Sequence, residues 1–475
     1  MIVMKFGGTS VGSAGSIRGV IDVIRQAANS GKNPFVVVSA VSGVTDMLLA
    51  AAKSALGKGS SVKGIVGGIE RRHADIISGL GIAPDILLED LAELEKMLYG
   101  IWLVREITAR TTDYVASFGE RISSRIVAAY AKKCGLNAKE FNAYDLGMIT
   151  DSNFGNAEIL PSTYEAIAAA VEKIPSGTIP IVTGFVGKTK EGEVTTLGRG
   201  GSDYTASIFG AALGAEEIQV WTDADGVMTA DPKLVPGAST VPVVSFEEAS
   251  ELAYFGAKVL HPKTILPAMS RDIPVRVLNT FNPHGEGTLI LRTADAKRDI
   301  TAITCKKNIH VIHINSLRML LAYGFLNSVF KLFEEFKVPA DMVTTSEVNV
   351  SVTVDGKFDI SGLVERLREF AAVTVLSDRA SLSIVGEGIR SKAGIGGRIF
   401  SVLGRKGINV EMLSQSYAVV SESLVINESQ LTGAVNALHE EFFGAPAGHV
   451  STATATAAVA ATVKPVRNLR EARAS

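Results

Sequence analysis

Residues 2–28 read IVMKFGGTSVGSAGSIRGVIDVIRQAA. The run IVMKF stops at Gly7 and Gly8, and the residues beyond it place apolar side chains three and four apart, the period of an α-helix. A strand, a glycine turn and a helix make the first half of a βαβ unit, and the same grammar returns down the chain. PFVVVSA (34–40), IPIVTGFVG (179–187) and EIQVWT (217–222) read as strands, while GERISSRIVAAYAKK (119–133) and SDYTASIFGAALGA (202–215) read as helices. From Met1 to about Arg292 this alternation predicts an α/β sandwich on a largely parallel sheet. Ligands of such sheets sit beyond the carboxyl ends of the strands, where the glycine turns lie.

After about Ile290 the text changes and a unit is duplicated. YGFLNSVFKLFEEFKVPADMVTTSE (323–347) aligns with AGIGGRIFSVLGRKGINVEMLSQSY (393–417) at a constant shift of 70 residues. Gly324 falls on Gly394, Phe330 on Phe400, Asp341 on Glu411, Met342 on Met412 and Ser346 on Ser416. Two copies of strand, turn, amphipathic helix, strand, strand are too few for a solenoid and fit two compact modules. From Ala445 the chain is Ala/Thr-rich and then basic, with Lys464, Arg467, Arg470 and Arg473, and reads as a solvated extension. The division is 1–293, 301–378 (its first strand free to pair with the next module), 379–444 and a tail, 445–475.

Composition narrows the classes. A chain of 475 residues, 47% hydrophobic, holds about three domains with sizeable cores. The net charge of −2 is spread in mixed signs, which asks for no nucleic acid. No apolar stretch reaches the ~18 residues of a membrane span, and the start lacks a cleavable leader. Two distant cysteines, Cys134 and Cys305, suit a reducing compartment, so a cytoplasmic protein without membrane attachment is expected. His310 and His313 fall on opposite faces of one strand, and no metal-ligand cluster is legible.

Several stretches carry side chains suited to chemistry. KFGGTSVGS puts Lys5 at a strand end and Gly7 and Gly8 where backbone N–H groups can approach an anion, although a plain glycine turn has the same spelling. VVVSAVSGVTD offers Ser39 and Thr45, the latter equally an N-cap. SFGE (117–120) spells a capping box, which leaves Glu120 either a cap or a functional carboxylate. TTLGRGGSDYTA gathers Arg199, Gly200, Gly201, Ser202 and Asp203 at the mouth of a helix, where a guanidinium can grip a carboxylate or phosphate and Asp203 can cap, hold a cation or hold a lysine. WTDADGVMTADPK brings Asp223, Asp225 and Asp231 around a turn without EF-hand spacing. FGAKVLHPKT adds Lys258, and its His261, before a proline, reads as structural.

Taken together, KFGGTSVGS, VVSAVSGVTD, SFGERISSR, TLGRGGSDYTA, WTDADGVMTADP, FGAKVLHP and the duplicated unit resemble aspartate kinases of the monofunctional type with two C-terminal ACT modules, from Lys5 to Ser416. The resemblance implies an amino-acid-kinase three-layer α/β/α sandwich followed by two small α+β, ferredoxin-like ACT modules. It implies phosphorylation of the β-carboxylate of L-aspartate by ATP, giving 4-phospho-L-aspartate, the entry to lysine, threonine and methionine synthesis. On this reading Lys5 stabilises the transferring phosphoryl group, Asp203 orients Lys5, and Gly7 and Gly8 admit the phosphates. Arg199 grips the substrate α-carboxylate and Glu120 its ammonium, with Ser39, Thr45, Gly200, Gly201 and Ser202 around the pocket. Thr222, Asp223, Met228, Lys233, Lys258 and Val259 surround the nucleotide, whose phosphates Mg²⁺ bridges with mostly water and phosphate ligands. Two positions depart from the family: Met228 stands where many relatives have Tyr, and Lys233 where some have Arg.

The resemblance further implies feedback by an amino acid held by Met319, Gly324, Phe325, Leu326, Asp341, Ser346 and Glu347. Two carboxylates favour lysine over threonine, against which Leu321 replaces a His found in some lysine-sensitive members. Paired modules from two chains build that site in the family, so a homodimer or larger homo-oligomer is expected. Two other readings stay open: a different amino-acid or carbamate kinase of the same fold, and a catalytically silent amino-acid sensor.

Overall fold

The computed structural model describes residues 1–57, 61–256, 262–294, 298–316, 323–415 and 420–444. The first part carries β1 (Ile2–Phe6), β2 (Pro34–Val38), β3 (Ala138–Phe141), β4 (Ile179–Thr183), β5 (Val186–Lys188), β6 (Val194–Thr196), β7 (Glu217–Thr222), β8 (Val243–Ser245), β9 (Val275–Asn279) and β10 (Thr288–Leu291). Eight of these form one sheet in the order β3-β4-β2-β1-β7-β9-β10-β8, and β5 with β6 forms a separate hairpin. Within the sheet only β9 and β10 run antiparallel.

The sheet is covered on both faces, which is why its central strands read as unbroken apolar runs. Helices α1 (Ala14–Asn29), α2 (Val44–Ala55), α3 (Val62–Leu80), α4 (Leu88–Val104) and α5 (Ala109–Lys133) share one core with Ile2, Met4 and Phe6 of β1. Helices α6 (Thr163–Val171), α7 (Gly201–Leu213), α8 (Phe246–Tyr254) and α9 (Pro262–Ser270) share the other with Val3. The alternation of a strand therefore turns Lys5 toward the α7 side.

The second part holds β11 (Ala302–Asn315), β12 (Val343–Thr345), β13 (Asn349–Asp355), β14 (Ala372–Val385), β15 (Met412–Gln415) and β16 (Ser421–Asn427) in one sheet ordered β12-β13-β11-β14-β16-β15. Its helices are α10 (Phe325–Glu335), α11 (Ser361–Arg368), α12 (Glu387–Ser391), α13 (Ile395–Arg405) and α14 (Leu431–Phe443). The duplication is visible in the backbone. Helices α10 and α13 start after Gly324 (φ 85°) and Gly394 (φ 89°), and the left-handed turns beyond them fall at Lys337 and Gly407, again 70 residues apart. The two copies are interwoven rather than serial: Ala302–Lys306 of β11 pairs with Ser381–Val385, and Ile309–Asn315 pairs with β13. A division at 378/379 consequently falls inside β14, at Asp378 with φ 56°. The tail 445–475 lies outside the described residues. No helix among the described residues is long and apolar enough to cross a membrane.

Helix α8 locks the two parts together. Ser245 and Glu248 form a reciprocal capping box, Ser245 N–H donating to Glu248 Oε2 at 2.8 Å and Glu248 N–H to Ser245 Oγ at 3.1 Å. The other oxygen of the same buried carboxylate accepts from Thr301 Oγ1 (2.5 Å) and from the Glu387 amide (3.2 Å) of the second part. Glu248→Ala removes a cap and leaves buried donors unpaired, so it is expected to lower unfolding free energy by about 2–4 kcal/mol in a urea titration. A change within error would show that the junction does not rest on this carboxylate.

Candidate active site

Strand β1 lies between β2 and β7, so the chain turns away from it on both sides and leaves a crevice at its carboxyl end. Lys5 opens into that crevice. Its Nζ stands 2.6 Å from Asp203 Oδ1, and the lysine is 8% exposed. Asp203 sits in the first turn of α7, where the helix dipole favours a carboxylate. The N-cap is Gly200, at φ 72°, so Asp203 is the partner of Lys5 and not the cap.

Gly8 is required where it stands, whereas a Cβ at Gly7 would make only ordinary contacts. Gly7 N–H donates to Trp221 O at 3.1 Å, tying the turn to the end of β7, and a Cβ on Gly7 would lie 3.6 Å from Lys5 Nζ. A Cβ on Gly8 would come within 2.8 Å of Ala40 O, and the Ser42 amide donates to Gly8 O at 3.1 Å. Ser39 follows β2 directly, its amide donating to Phe6 O at 3.0 Å.

Glu120 lies inside α5 rather than at a cap, because that helix begins at Thr108, whose side chain accepts from the Thr111 amide. Its carboxylate is buried, accepts from Ala40 N–H at 3.1 Å through Oε1, and has no partner at Oε2. Burial pushes its pKa up to about 8, while the Ala40 hydrogen bond and the Lys5 charge pull it back. Gly119 lets α5 close on Ala40: a Cβ there would meet Ala40 Cβ at 2.7 Å and lie 3.8 Å from Thr45 Oγ1. Thr45 is not an N-cap either, since α2 starts after Gly43 at φ 80°.

Arg199 is exposed and without a partner among the described residues, in a loop held rigidly at its base. There Asp113 Oδ2 accepts from the amides of Gly155 (2.9 Å) and Thr196 (2.8 Å), and Oδ1 accepts from Thr196 Oγ1 (2.9 Å). At the loop's far end Gly201 packs on Phe185, and Gly184 leaves room for Ser202. Asp113 was not singled out by its spelling, yet it lies seven residues before Glu120, two turns back on the same face of α5. Arg72 was also missed; its Nη2 donates to Gly12 O (3.3 Å) and Ser42 O (3.4 Å), bridging the two glycine-bearing loops from α3.

Beyond β7, Thr222 Oγ1 donates to Asp223 Oδ1 at 3.3 Å. The three aspartates of this segment have separate duties. Asp223 is exposed, Asp225 accepts from Asn279 and Asn282, and Asp231 accepts from the Lys233 amide. They make no cation loop, and no group of three or more His, Cys, Asp or Glu among the described residues could hold a metal. Met228 Sδ accepts from Thr240 Oγ1 at 3.6 Å, and the Lys233 side chain is exposed. Lys258 and Val259 lie outside the described residues, as do His261, Met319, Leu321 and Ser416.

In the second part, Gly324, Phe325 and Leu326 begin α10. Asp341 is already engaged by Lys306 Nζ at 2.6 Å, and Lys306 also meets Asp355. Ser346 and Glu347 are exposed in the turn after β12. Asp341 bonds to Thr353 and Ser346 to Asn349, four residues or roughly 14 Å along β13, so the structure does not bring Asp341 and Glu347 together within one chain.

Residues 1–279 match the amino acid kinase family and residues 382–442 the ACT domain. Aspartokinase 1, chloroplastic, of Arabidopsis thaliana is 43% identical over 457 residues, spanning 93% of this chain and 80% of that protein. Lysine-sensitive aspartokinase 3 of Escherichia coli is 31% identical over 465 residues, spanning 93% and 99%. Solved structures of E. coli aspartokinase III in complex with aspartate and ADP (R-state), and with lysine and aspartate (T-state), each match with a TM-score of 0.79 at 30% identity. They cover 93% of this chain and 100% and 99% of theirs.

The Glu120 environment makes a direct prediction. In a ¹³C-carboxyl NMR titration of the ligand-free chain, one glutamate titrates near pH 8 and disappears in Glu120→Gln. Lys5→Met moves that midpoint higher, because a nearby positive charge no longer stabilises the carboxylate. A midpoint in the ordinary glutamate range would contradict the burial argument.

Proposed function

We propose, from the premise that the chain belongs to the aspartokinase family, an assignment of each step of its reaction to the residues gathered at the end of β1. The chain is an aspartate kinase: it phosphorylates the β-carboxylate of L-aspartate with ATP, in amino-acid biosynthesis, under feedback by an amino acid. The observation that carries the assignment is the Lys5–Asp203 pair standing beside Gly7, Gly8 and the buried, half-unpartnered Glu120.

Little acid–base work is asked of the protein. A β-carboxyl with an ordinary pKa of about 3.9 is already an anion at neutral pH, so its oxygen attacks the γ-phosphorus as the bond to ADP breaks, and no proton moves. What remains is positioning and charge neutralisation. Lys5, held by Asp203, meets the transferring phosphoryl group, and the turn at Gly7 and Gly8 admits the phosphates, the Gly7 amide being tied to Trp221 O. Arg199, without a partner among the described residues, takes the substrate α-carboxylate. Glu120 takes the ammonium, with Ser39 and Thr45 beside it and Gly200, Gly201 and Ser202 forming the rim. Thr222, Asp223, Met228 and Lys233 face the nucleotide, and the family resemblance adds Lys258 and Val259 to the set. Mg²⁺ would supply charge neutralisation on the phosphates, held mainly by phosphate and water.

The protonated state of Glu120 adds a step. With a pKa near 8 the empty site holds a neutral carboxyl, and the substrate ammonium stabilises the charged form, so binding releases a proton at neutral pH. The effector reading favours lysine, as the name of the E. coli relative and its T-state complex do. Since Lys306 occupies Asp341, Glu347 is the carboxylate open to a side-chain ammonium. Exposed Leu326 on α10 and Val343 on β12 support a homodimer through these modules.

A hydroxylamine trap with ATP, Mg²⁺ and L-aspartate tests the reaction, and glutamate in place of aspartate tests its specificity. Hydroxamate forms with aspartate alone; none under any condition favours the silent sensor. In the same assay Arg199→Ala raises KM for aspartate by about 10–100-fold, the loss of a charge-assisted contact, and leaves KM for ATP nearly unchanged. An ATP-selective defect refutes that role. Glu347→Ala weakens lysine inhibition at unaltered basal rate, and unchanged inhibition rejects the site.

A further inference from the structure

The segment leaving β7 serves two sites. Thr222–Met228 stand at the crevice, whereas Ala230 and Val235 are buried in one apolar cluster with Leu431, Ala434, Val435 and Leu438 of the regulatory helix α14. Thr229 is the joint between them, and it is 4% exposed. Its carbonyl accepts from Ile303 N–H of β11 at 2.8 Å, and its amide donates to Ser239 O at 2.9 Å. Its hydroxyl oxygen accepts from Ser239 N–H at 3.0 Å and lies 2.9 Å from His439 Nε2 of α14. The hydroxyl keeps one proton and one lone pair beyond the Ser239 bond, so it can pair with His439 Nε2 in either tautomer of the ring. Burial lowers the His439 pKa, which favours the neutral ring, and the ring is set by Phe443 with centroids 4.8 Å apart. A second tie from the same helix, Asn436 Nδ2 to Leu234 O at 2.9 Å, holds the far side of the segment.

We propose that His439, a residue of the regulatory part 210 positions away in the chain, is a positioning residue for the nucleotide: through Thr229 it fixes the loop Thr222–Met228 at the end of β7. The nucleotide affinity of the catalytic part is then set in part by α14. By linkage, nucleotide binding and the seating of α14 favour one another. The acceptor pocket, built on α2, α5 and the Arg199 loop, takes no hydrogen bond from α14 among the described residues and does not feel this contact.

The proposal rests on the reading of Thr222, Asp223 and Met228 as nucleotide-facing, and the experiment separates the two. On the full chain, ADP affinity is measured by calorimetry, and KM for ATP and for aspartate in the hydroxamate assay. Thr229→Val weakens ADP binding and raises KM for ATP about fivefold, with KM for aspartate within about twofold of the parent. His439→Gln, whose amide reaches the place of Nε2, retains parental ADP affinity, whereas the shorter His439→Asn weakens it, by no more than Thr229→Val, which also leaves the Ser239 amide without its acceptor. Joining Thr229→Val to His439→Asn costs no more than Thr229→Val alone, since the bond to His439 is already lost with the hydroxyl. Equal losses for ATP and aspartate, additive losses, or unchanged ADP affinity in folded variants overturn the proposal. Should Thr229→Val fail to fold, the Gln and Asn pair decides. A parent chain that makes hydroxamate while its variants bind ADP normally sinks this inference alone; a parent that binds no ADP sinks the nucleotide reading with it.

Discussion

The ion pair between Lys5 and Asp203 is the contact on which the site depends. It joins the first strand of the sheet to the first turn of α7, two elements nearly two hundred residues apart, across the crevice where the strand order turns. Taking two charges out of water is costly, and a buried pair is poor evidence of stability. Its worth here is geometric. Asp203 is held by a helix whose start is set by Gly200 and by the loop that Asp113 anchors, so the ammonium of Lys5 keeps one position at the strand end. The same ammonium helps keep Glu120 ionisable, since burial alone would raise that carboxyl further. One lysine thereby couples the phosphoryl side of the site to the ammonium side.

Much of this was legible from spelling, and the misreadings have a common cause. The strands of the central sheet are covered on both faces, so IVMKF and PFVVV announce themselves as unbroken apolar runs. Glu120 is instructive. SFGE at 117–120 and SFEE at 245–248 share a pattern, but the second caps α8 and the first lies in the middle of α5. A capping box is defined by where the helix begins, and four letters do not contain that. Thr45 fails as a cap for the same reason, Gly43 taking the left-handed position that starts α2. Arg72 and Asp113 act through contacts 30 to 83 residues distant, and such pairings leave no trace in local pattern.

The regulatory repeat was legible as a repeat and opaque as an assembly. A shift of 70 residues superimposes α10 on α13, together with their glycine starts. What no repeat can announce is that β11 and β14 are each long enough to serve both copies, because strand register lies between segments rather than within them. Interweaving brings Met342 and Met412, the aligned methionines, into one small apolar cluster with Ile309, Val311 and Val425. Each copy also pairs its aligned acid within the chain, Asp341 with Lys306 and Glu411 with Arg379. In the proposed effector site an ammonium group would meet an acid already satisfied at Asp341, which leaves Glu347 as the proposed recognition carboxylate.

The placement of the junction decides which half of the reaction regulation can reach. Hydrogen bonds from the regulatory part arrive at Glu247, Glu248 and Glu251 of α8, at Phe255, and at Thr229 and Leu234 of the segment after β7. All of these lie on the β7–β10 side of the sheet, where the proposed nucleotide loop begins. Glu120, Thr45 and the Asp113-anchored Arg199 loop belong to α2, α5 and the β5–β6 hairpin, and among the described residues they make no hydrogen bond to the regulatory part. A rearrangement of the interwoven sheet is transmitted by the bonds that cross the junction, and packed cores shift as units rather than stretch. On the proposed assignment, such a rearrangement reaches the nucleotide side and leaves the acceptor pocket in place. In-line transfer needs both substrates in register with Lys5, so a small displacement of one side suffices to stop it without dismantling either.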